Sequence, residues 1–391
     1  MSGVESTLPV NDESFMSEAI RLAASVPSRP WPNPPVGAVV VKDGRVIGRG
    51  AHHGPGSSHA EIVALAEAGA AAEGATLYCS LEPCNHLGNT PPCAPAVAAS
   101  GVRRVVFGVR DPNPTVTGNG ARLLVQRGID VTCGVLGRAA LELIWPFVVT
   151  DAFQRPFVLL KTATSLDGRF WTDPARMRQA SGGPVYLTSE PSLRDAHCWR
   201  RWSDLVLIGE TTLKVDRPRL DGRLVDGTCH CPTDDPAVGY VDSDLSHGDG
   251  WHHNRYQVFC GESVGDQSTL DALRSDGASV NPCAVRDGHV DPRSLVAVAR
   301  AAGFYYLMIE GGPHLAASFL AAGLVDRWLQ YRAPVAVGSG VQWPEQPLVA
   351  PEYFELTGTE RLGPDLRLVY DRPGYEDRLT AMTGPVTEEL R

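Results

Sequence analysis

Residues 59–69 read HAEIVALAEAG, and how this stretch folds decides what the chain can be. Ser58 is a good helix cap, and Ile62, Leu65, Ala66 and Gly69 fall on one helical stripe, so the spacing predicts a helix. Residues two apart on an α-helix point roughly 200° from each other. His59 and Glu61 therefore do not read as neighbouring ligands of one ion; one binds while the other works beside it. Downstream, LEPCNHLGNTPPCAPAVAASG (residues 81–101) supplies Cys84 directly after a strand and turn, then Cys93 after Pro91 and Pro92. Proline suits the start of a helix and Gly101 its far end, which puts Cys93 at a helix N-terminus, where the dipole favours a thiolate.

One histidine and two cysteines leave a tetrahedral Zn2+ one open position, the arrangement of a catalytic site. Water there has its pKa lowered towards ~7, and a nearby glutamate can carry protons from it to a departing amine. This is the logic of zinc-dependent nucleobase deaminases, whose signature is H-x-E followed by P-C and a further Cys. The competing reading is a core histidine, a capping glutamate and two inert thiols. Each residue alone fits it, but the ordered set favours zinc.

Outward from this stretch, apolar runs of strand length alternate with helix-like segments, the α/β pattern. SFMSEAIRLAASV (14–26) has helical spacing; VGAVVV (36–41), ATLYCSL (75–81), VRRVVFGV (102–109) and GIDVTCGV (128–135) read as strands, and a helix around RAALELIWPFV closes a first unit. A second begins with RPFVLLKTATSLDGR (155–169) and continues through SDLVLIG (203–209), YQVFCG (256–261), FYYLMIEGG (304–312) and RWLQYRAPVAVG (327–338). The expected domains are 10–150 and 155–375, with the polar segment 221–256 as a surface insertion.

Composition excludes several classes. With 35 Lys plus Arg against 45 Asp plus Glu and a net charge of −10, nucleic-acid binding is not expected. No stretch approaches the ~20 apolar residues of a membrane span, and MSGVESTLPVNDESF lacks the parts of a signal peptide, so the expectation is a cytoplasmic protein with no membrane association. Nine cysteines is an odd count for a fully disulfide-bonded framework, and several sit in apolar runs as reduced core thiols do. In TCHCP (228–232) a single residue separates Cys229 from Cys231, so with His252 and His253 it reads as part of the insertion rather than a second metal cluster. Trp199 and Trp202 of WRRW read as packing residues.

PNPPVGAVVVKDGRVIGRGAHHGPGSSHAE (32–61), LEPCNHLGNTPPC (81–93) and RDPNPTVTGNG (110–120) strongly resemble the deaminase half of the bifunctional riboflavin-biosynthesis deaminase-reductases. Eight residues separate Cys84 from Cys93 where the generic signature has two, a spacing similar to this family's in particular. KTATSLDG (161–168), LVLIGETTLKVDRPRL (205–220) and IEGGPHLAASFLAAGLVDRW (309–328) resemble the reductase half. The resemblance implies a cytidine-deaminase-like three-layer α/β domain with a mixed sheet, then a dihydrofolate-reductase-like α/β domain. It implies hydrolytic removal of the 2-amino group of a 2,5-diamino-6-ribosylamino-pyrimidinone 5′-phosphate, then NADPH-dependent reduction of the ribosyl group to ribityl. His59, Cys84 and Cys93 would hold zinc, Glu61 would shuttle protons, and Asn33, His52 or His53, His86, Asp111 and Asn113 would hold the substrate. In the second half Ala163, Tyr186, Thr212, Asp216, Gly311 and Gly312 would line the NADPH site, and Lys161, Asp167, Leu220, Arg223 and Glu310 would face the substrate. Related reductases associate through this domain, so a homo-oligomer is implied.

The chain departs from the family at phosphate-facing positions: Asn89 stands for a cation before TPPC, Pro184 for a serine, Leu193 for an arginine and Arg217 for an aspartate. Arg176, Arg178, Arg194 and Arg217 are candidate compensating cations. These departures leave two further readings: a relative acting on a modified or non-phosphorylated aminopyrimidine with altered or lost reductase activity, and a non-catalytic scaffold around structural zinc. Glu61 disfavours the scaffold, because a structural site has no use for that carboxylate.

Overall fold

The computed structural model describes residues 10–26, 30–87, 90–113, 118–170, 186–225, 231–232, 234–246, 251, 255–263, 265–338, 340–343 and 352–384. The chain forms two compact units, one of Met1–Asp151, His230–Thr233 and Gly374–Arg391, the other of Ala152–Cys229 and Asp234–Pro373.

In the first unit α1 (Val10–Ala24) precedes the hairpin β1 (Gly37–Lys42) and β2 (Arg45–Ala51). There follow α2 (Ala60–Ala68), β3 (Thr76–Leu81), α3 (Cys93–Ala99), β4 (Arg104–Val109), α4 (Asn119–Gln126), β5 (Asp130–Cys133) and α5 (Gly137–Phe153). The sheet runs β2-β1-β3-β4-β5, antiparallel through β3 and parallel beyond it, the expected mixed sheet. Met16, Ala19, Val39, Val41, Tyr78 and Val106 bury α1 against it. Buried Asp12 fastens that contact, accepting from the Tyr78 hydroxyl at 2.7 Å and from Arg104 at 3.0 and 2.8 Å.

Helix α2 differs from its expected form at two points. His59 is the N-cap, in extended backbone and without a side-chain cap bond, so Ser58 does not cap it. The buried face is Ala60, Glu61, Ala64 and Ala68 rather than the stripe of Ile62, Leu65, Ala66 and Gly69. The reason lies in β2: a Cβ on Gly48 would stand 2.1 Å from the Ala64 carbonyl oxygen, and one on Gly50 the same distance from that of Ala60. Helix backbone rests directly on strand, and only alanine-sized side chains fit the seam.

The second unit contains β6 (Phe157–Thr164), α6 (Glu190–Trp202), β7 (Leu205–Gly209), α7 (Glu210–Asp216), β8 (Ala237–Val241), β9 (Tyr256–Gly261), α8 (Gln267–Ser275) and β10 (Ala278–Cys283). After the small hairpin β11 (Val285–Arg286) and β12 (His289–Val290) come α9 (Pro292–Ala301), β13 (Tyr306–Glu310), α10 (Pro313–Ala321), β14 (Arg327–Arg332), β15 (Glu355–Leu362) and β16 (Asp365–Asp371). Nine strands form one sheet in the order β10-β9-β8-β7-β13-β6-β14-β16-β15, parallel except where β16 pairs with β14 and β15. Val158, Leu160, Leu207, Phe259, Ile309 and Phe319 centre its core. The chain then returns to the first unit as α11 (Tyr375–Thr383).

The surface-insertion reading of 221–256 is corrected in its middle, where Ala237–Val241 forms β8 inside the sheet, between β7 and β9. Five residues with a central glycine carry too little apolar signal to stand out from the polar flanks. Cys229, His252 and His253 lie outside the described residues. Cys79, Cys260 and Cys283 are buried free thiols, as their apolar runs imply, whereas Cys198, on polar α6, is disulfide-bonded. Among the described residues no helix is long and apolar enough to cross a membrane.

Replacing Gly50 with valine forces α2 off β2. The expected loss is about 1–3 kcal/mol, the usual cost of overpacking, read as a lowered urea midpoint for the first unit. An unchanged midpoint would contradict the seam.

Candidate active site

Three metal-ligand side chains converge from three elements. His59 caps α2, Cys84 lies in the turn after β3, and Cys93 is the first residue of α3, with Pro92 as its N-cap. His59 Nδ1 stands 3.1 Å from Cys93 Sγ and 3.5 Å from Cys84 Sγ, the Cys93 backbone N–H donates to Cys84 Sγ at 3.3 Å, and the three ligand atoms lie within 4.8 Å of one another. The Cys93 thiol donates to Cys84 and, with His59, outweighs burial to hold the Cys84 thiol down to about 4. The same hydrogen bond and burial push Cys93 far up. The Cys93 thiol keeps the proton of that hydrogen bond. A divalent cation that displaces it meets two thiolates and an imidazole, a donor set that fits Zn2+. Thr90 Oγ1 lies 3.0 Å from His59 Nε2; by accepting that N–H it would leave Nδ1 to bind a metal that displaces the protons from the cluster.

His59 and Cys84 of the cluster line a cavity of about 350 Å³, together with Asn33, His52, Glu61, His86, Asp111 and Asn113, and with Val36, Leu81 and Phe147 as apolar walls. Glu61 is 3% exposed, and burial pushes its carboxyl up to about 7. Burial likewise lifts Asp111 to about 6, against the Asn113 N–H that it accepts at 2.9 Å. His53 is exposed and does not line the cavity.

The polarity of Asn33 is set from behind. The Ser57 hydroxyl donates to the Gly54 carbonyl at 2.7 Å, so its oxygen faces His52 Nδ1, 3.2 Å away, as an acceptor; the Ser58 carbonyl is a second acceptor at 3.2 Å. Nδ1 therefore carries the hydrogen, and Nε2 accepts from Asn33 Nδ2 at 2.9 Å. Burial lowers the His52 pKa, against the Ser58 carbonyl, which raises it. The amide orientation of Asn33 is thereby fixed, leaving its carbonyl oxygen and second N–H to be offered elsewhere. Glu82 plays a similar part: buried at the end of β3, it accepts the backbone N–H groups of Asp111, Gly118 and Ala121 at 3.3, 3.0 and 3.0 Å.

In the second unit, Lys161 and Glu310 meet on the adjacent parallel strands β6 and β13, Nζ to Oε1 3.0 Å. Arg200 of α6 clamps both Glu310 oxygens at 2.7 Å, and it also reaches the Asp221 carbonyl. Burial would raise the Glu310 carboxyl, but Arg200 and Lys161 outweigh it and hold the group well below the usual range. Asp221 ties in the turn of Leu220, which is buried, and Arg223, whose guanidinium bonds the Asp221 carboxylate. The Gly312 N–H donates to Thr212 Oγ1 at 3.2 Å, joining α7 to the glycine loop before α10. Ala163 lies beside Tyr331 on β14; Tyr186 and Asp216 are exposed. Asp167 accepts from the Ser165 hydroxyl at 2.6 Å and from the Val337 and Gly338 N–H groups at 3.0 and 2.9 Å, which occupies its carboxylate in a turn.

Two family models match the two units: the cytidine and deoxycytidylate deaminase zinc-binding region over residues 9–109, and the RibD C-terminal domain over residues 156–368. The riboflavin biosynthesis protein RibD of Escherichia coli is 34% identical over 379 residues, covering 92% of this chain and 99% of that protein. That of Aquifex aeolicus is 35% identical over 338 residues, covering 84% and 89%. The chain belongs to the RibD family. Among solved structures, the Thermotoga maritima deaminase/reductase is 30% identical with a TM-score of 0.72, covering 93% of this chain and 99% of that one. Acinetobacter baumannii RibD, also 30% identical, gives 0.69 over 92% and 98%. Membership makes the chain a bifunctional deaminase and reductase of riboflavin biosynthesis, and favours neither the specialised-substrate reading nor the scaffold.

For this RibD-family chain, sequence reasoning missed Thr90, Ser57, Glu82 and Arg200. The first three stand within quoted motifs, TPPC, GSSHAE and LEPC, next to residues that were read. Arg200 was visible in WRRW, where the tryptophans drew the reading; Trp199 does pack, with the Arg327 and Arg367 guanidinium groups each 5.9 Å from its ring. Asn89, Pro184, Arg176 and Arg178 lie outside the described residues; Leu193 is half-buried and Arg217 exposed.

Thr90→Val is expected to weaken zinc binding about 10- to 100-fold without unfolding the chain, measured by competition with a chromophoric chelator. A second prediction concerns His197, where burial and Arg200 lower the pKa from 6.5 to about 4. Between these values the unfolded chain binds the extra proton, so the histidine's contribution is full above pH 6.5 and is lost as pH falls towards 4. His197→Asn should flatten the stability-versus-pH slope there by up to ~1.4 kcal/mol per pH unit, in denaturant titrations of the second unit.

Proposed function

We propose that the first unit removes the 2-amino group of a 2,5-diamino-6-ribosylamino-pyrimidinone 5′-phosphate by hydrolysis, and that the second reduces the ribosyl group of the product to ribityl with hydride from NADPH. The Thermotoga maritima relative is titled a diaminohydroxyphosphoribosylaminopyrimidine deaminase and 5-amino-6-(5-phosphoribosylamino)uracil reductase, which supports this substrate pair. The observation that carries the reading is a buried carboxylate, Glu61, in the same cavity wall as a His-Cys-Cys ligand set.

His59, Cys84 and Cys93 would hold zinc, which when bound supplies a Lewis acid that acidifies water and leaves one coordination position open. Glu61 takes a proton from the attacking water and delivers it to the exocyclic nitrogen, which leaves as ammonia while the ring carbon gains oxygen. Glu61 sits buried in the cavity lining, where its carboxyl can serve as the proton carrier between water and the departing amine. Val36, Leu81 and Phe147 enclose the ring, and Asn33 turns its carbonyl oxygen towards a donor on it, with His52 acting through Asn33. Asp111, Asn113 and His86 complete the polar contacts.

In the second unit no protein nucleophile is required. The work there is to align the nicotinamide with the sugar carbon and to exclude water. Ala163, Thr212 and the Gly311-Gly312 loop would seat the dinucleotide; Lys161, held by Glu310 and Arg200, faces the substrate. The reading further includes a cytoplasmic enzyme that self-associates through its second unit.

Glu61→Gln keeps shape and removes the proton acceptor. Ammonia release from the diaminopyrimidine phosphate should fall by about 10²–10⁴-fold, with zinc stoichiometry and NADPH consumption on the deaminated product unchanged. Loss of zinc from this variant would recast Glu61 as a ligand or fold determinant.

A further inference from the structure

The last helix of the chain, α11, lies beyond both family matches, which end at residues 109 and 368, yet it packs with the first unit rather than with the unit it follows. One end is an anchor. Tyr375 is fully buried, with its ring edge-on to Trp145 at 4.8 Å and its hydroxyl donating to Glu142 Oε1 at 2.6 Å. Next to it Glu376 accepts Arg138 at 2.8 and 2.9 Å. The other end reaches the sheet by backbone. The Met382 carbonyl accepts the Arg110 N–H at 2.9 Å, and the Gly384 carbonyl accepts Arg110 Nη2 at 3.3 Å. Two glycines make room: a Cβ on Gly134 would stand 2.7 Å from the Thr383 carbonyl oxygen, and one on Gly137 2.3 Å from Thr383 Cγ2.

Arg110 directly precedes Asp111, and Asp111 and Asn113 line the cavity. The chain leaving β4 is therefore gripped twice in succession, the Arg110 N–H by Met382 and the Asp111 N–H by Glu82. Arg110 is 6% exposed with α11 in place, so the Met382 carbonyl holds its N–H at one fixed point, a constraint that mobile water would not supply in its stead. None of the cavity-lining side chains comes from α11.

We propose that α11 is a positioning element for the deaminase site, fixing the end of β4 so that Asp111 and Asn113 meet the substrate. This rests on the reading of Asp111 as a substrate contact.

The test uses three chains: Tyr375→Ala, a chain ending at Pro373, and Asp111→Ala with the helix intact. Ammonia release from the diaminopyrimidine phosphate gives kcat and KM separately; zinc content and NADPH consumption on the deaminated product report the rest of the molecule. Both C-terminal variants are expected to raise KM at least tenfold with zinc and NADPH consumption unchanged, and a peptide of residues 374–391 added to the shortened chain should restore KM. Unchanged KM in both, while Asp111→Ala raises it, overturns the proposal and leaves the substrate reading standing. Unchanged KM in Asp111→Ala overturns that reading and the route assigned to α11. Loss of zinc together with activity in both C-terminal variants, with no recovery on adding the peptide, makes α11 a stabiliser only and also overturns the proposal.

Discussion

Backbone lies on backbone where α2 crosses β2. Gly48 and Gly50 leave no side chain in the seam, and Ala60, Ala64 and Ala68 add one carbon each. Such residues bury little apolar area, so the contact contributes proximity more than hydrophobic stabilisation. What it yields is the height of the helix above the sheet, on which the distances from His59 to both sulfurs depend. His59 stands at the helix mouth and Glu61 in its first turn, so a larger side chain at Gly50 would carry both away from Cys84 and Cys93. The same device recurs at Gly37 of β1, where a Cβ would stand 2.0 Å from the Ala19 carbonyl of α1. The apolar core of the unit lies instead around Met16, Val39, Tyr78 and Val106.

With the helix at that height, the polar groups of the cavity are oriented from outside it. Ser57 and the Ser58 carbonyl choose the tautomer of His52, His52 chooses the orientation of the Asn33 amide, and Thr90 chooses the nitrogen that His59 would present to a metal. Leaving the buried His52 unpaired would cost about 1–3 kcal/mol, enough to hold one orientation of it over the reverse. The cavity therefore presents a fixed pattern of donors and acceptors before a ligand arrives.

The zinc-ligand set was legible in the sequence because its chemistry needs particular residue types in order, and the order survives without coordinates. Strands β1, β3, β4, β6, β7, β9 and β13 were legible because burial on both faces writes largely continuous apolar runs. The packed face of α2 was not, since an alanine seam inverts the usual rule that the largest apolar residues point inward. Strand β8 was hidden by its glycine and its polar flanks, and α11 by a nearly equal mixture of polar and apolar residues. Asp167 shows the limit of motif reading. Its motif is intact, but only coordinates reveal that its carboxylate is occupied by Ser165, Val337 and Gly338. Arg200 was missed for the opposite reason, since its neighbours in sequence are packing residues and its partner Glu310 lies on another element.

The two units solve one electrostatic problem in opposite directions. Glu61 and Glu310 are both carboxylates withdrawn from water, and burial alone would raise both. Beside Glu310 stand two cations, Arg200 and Lys161, at 2.7 and 3.0 Å, and their attraction outweighs desolvation, so the group stays ionised. At Glu61, in the absence of metal, burial outweighs the attraction of His59. The Cys84 thiolate near it adds repulsion, and its carboxyl rises to about 7. A carboxylate locked in its charged form holds a lysine in place. The neighbours, not the residue type, keep Glu310 ionised and leave burial to raise Glu61.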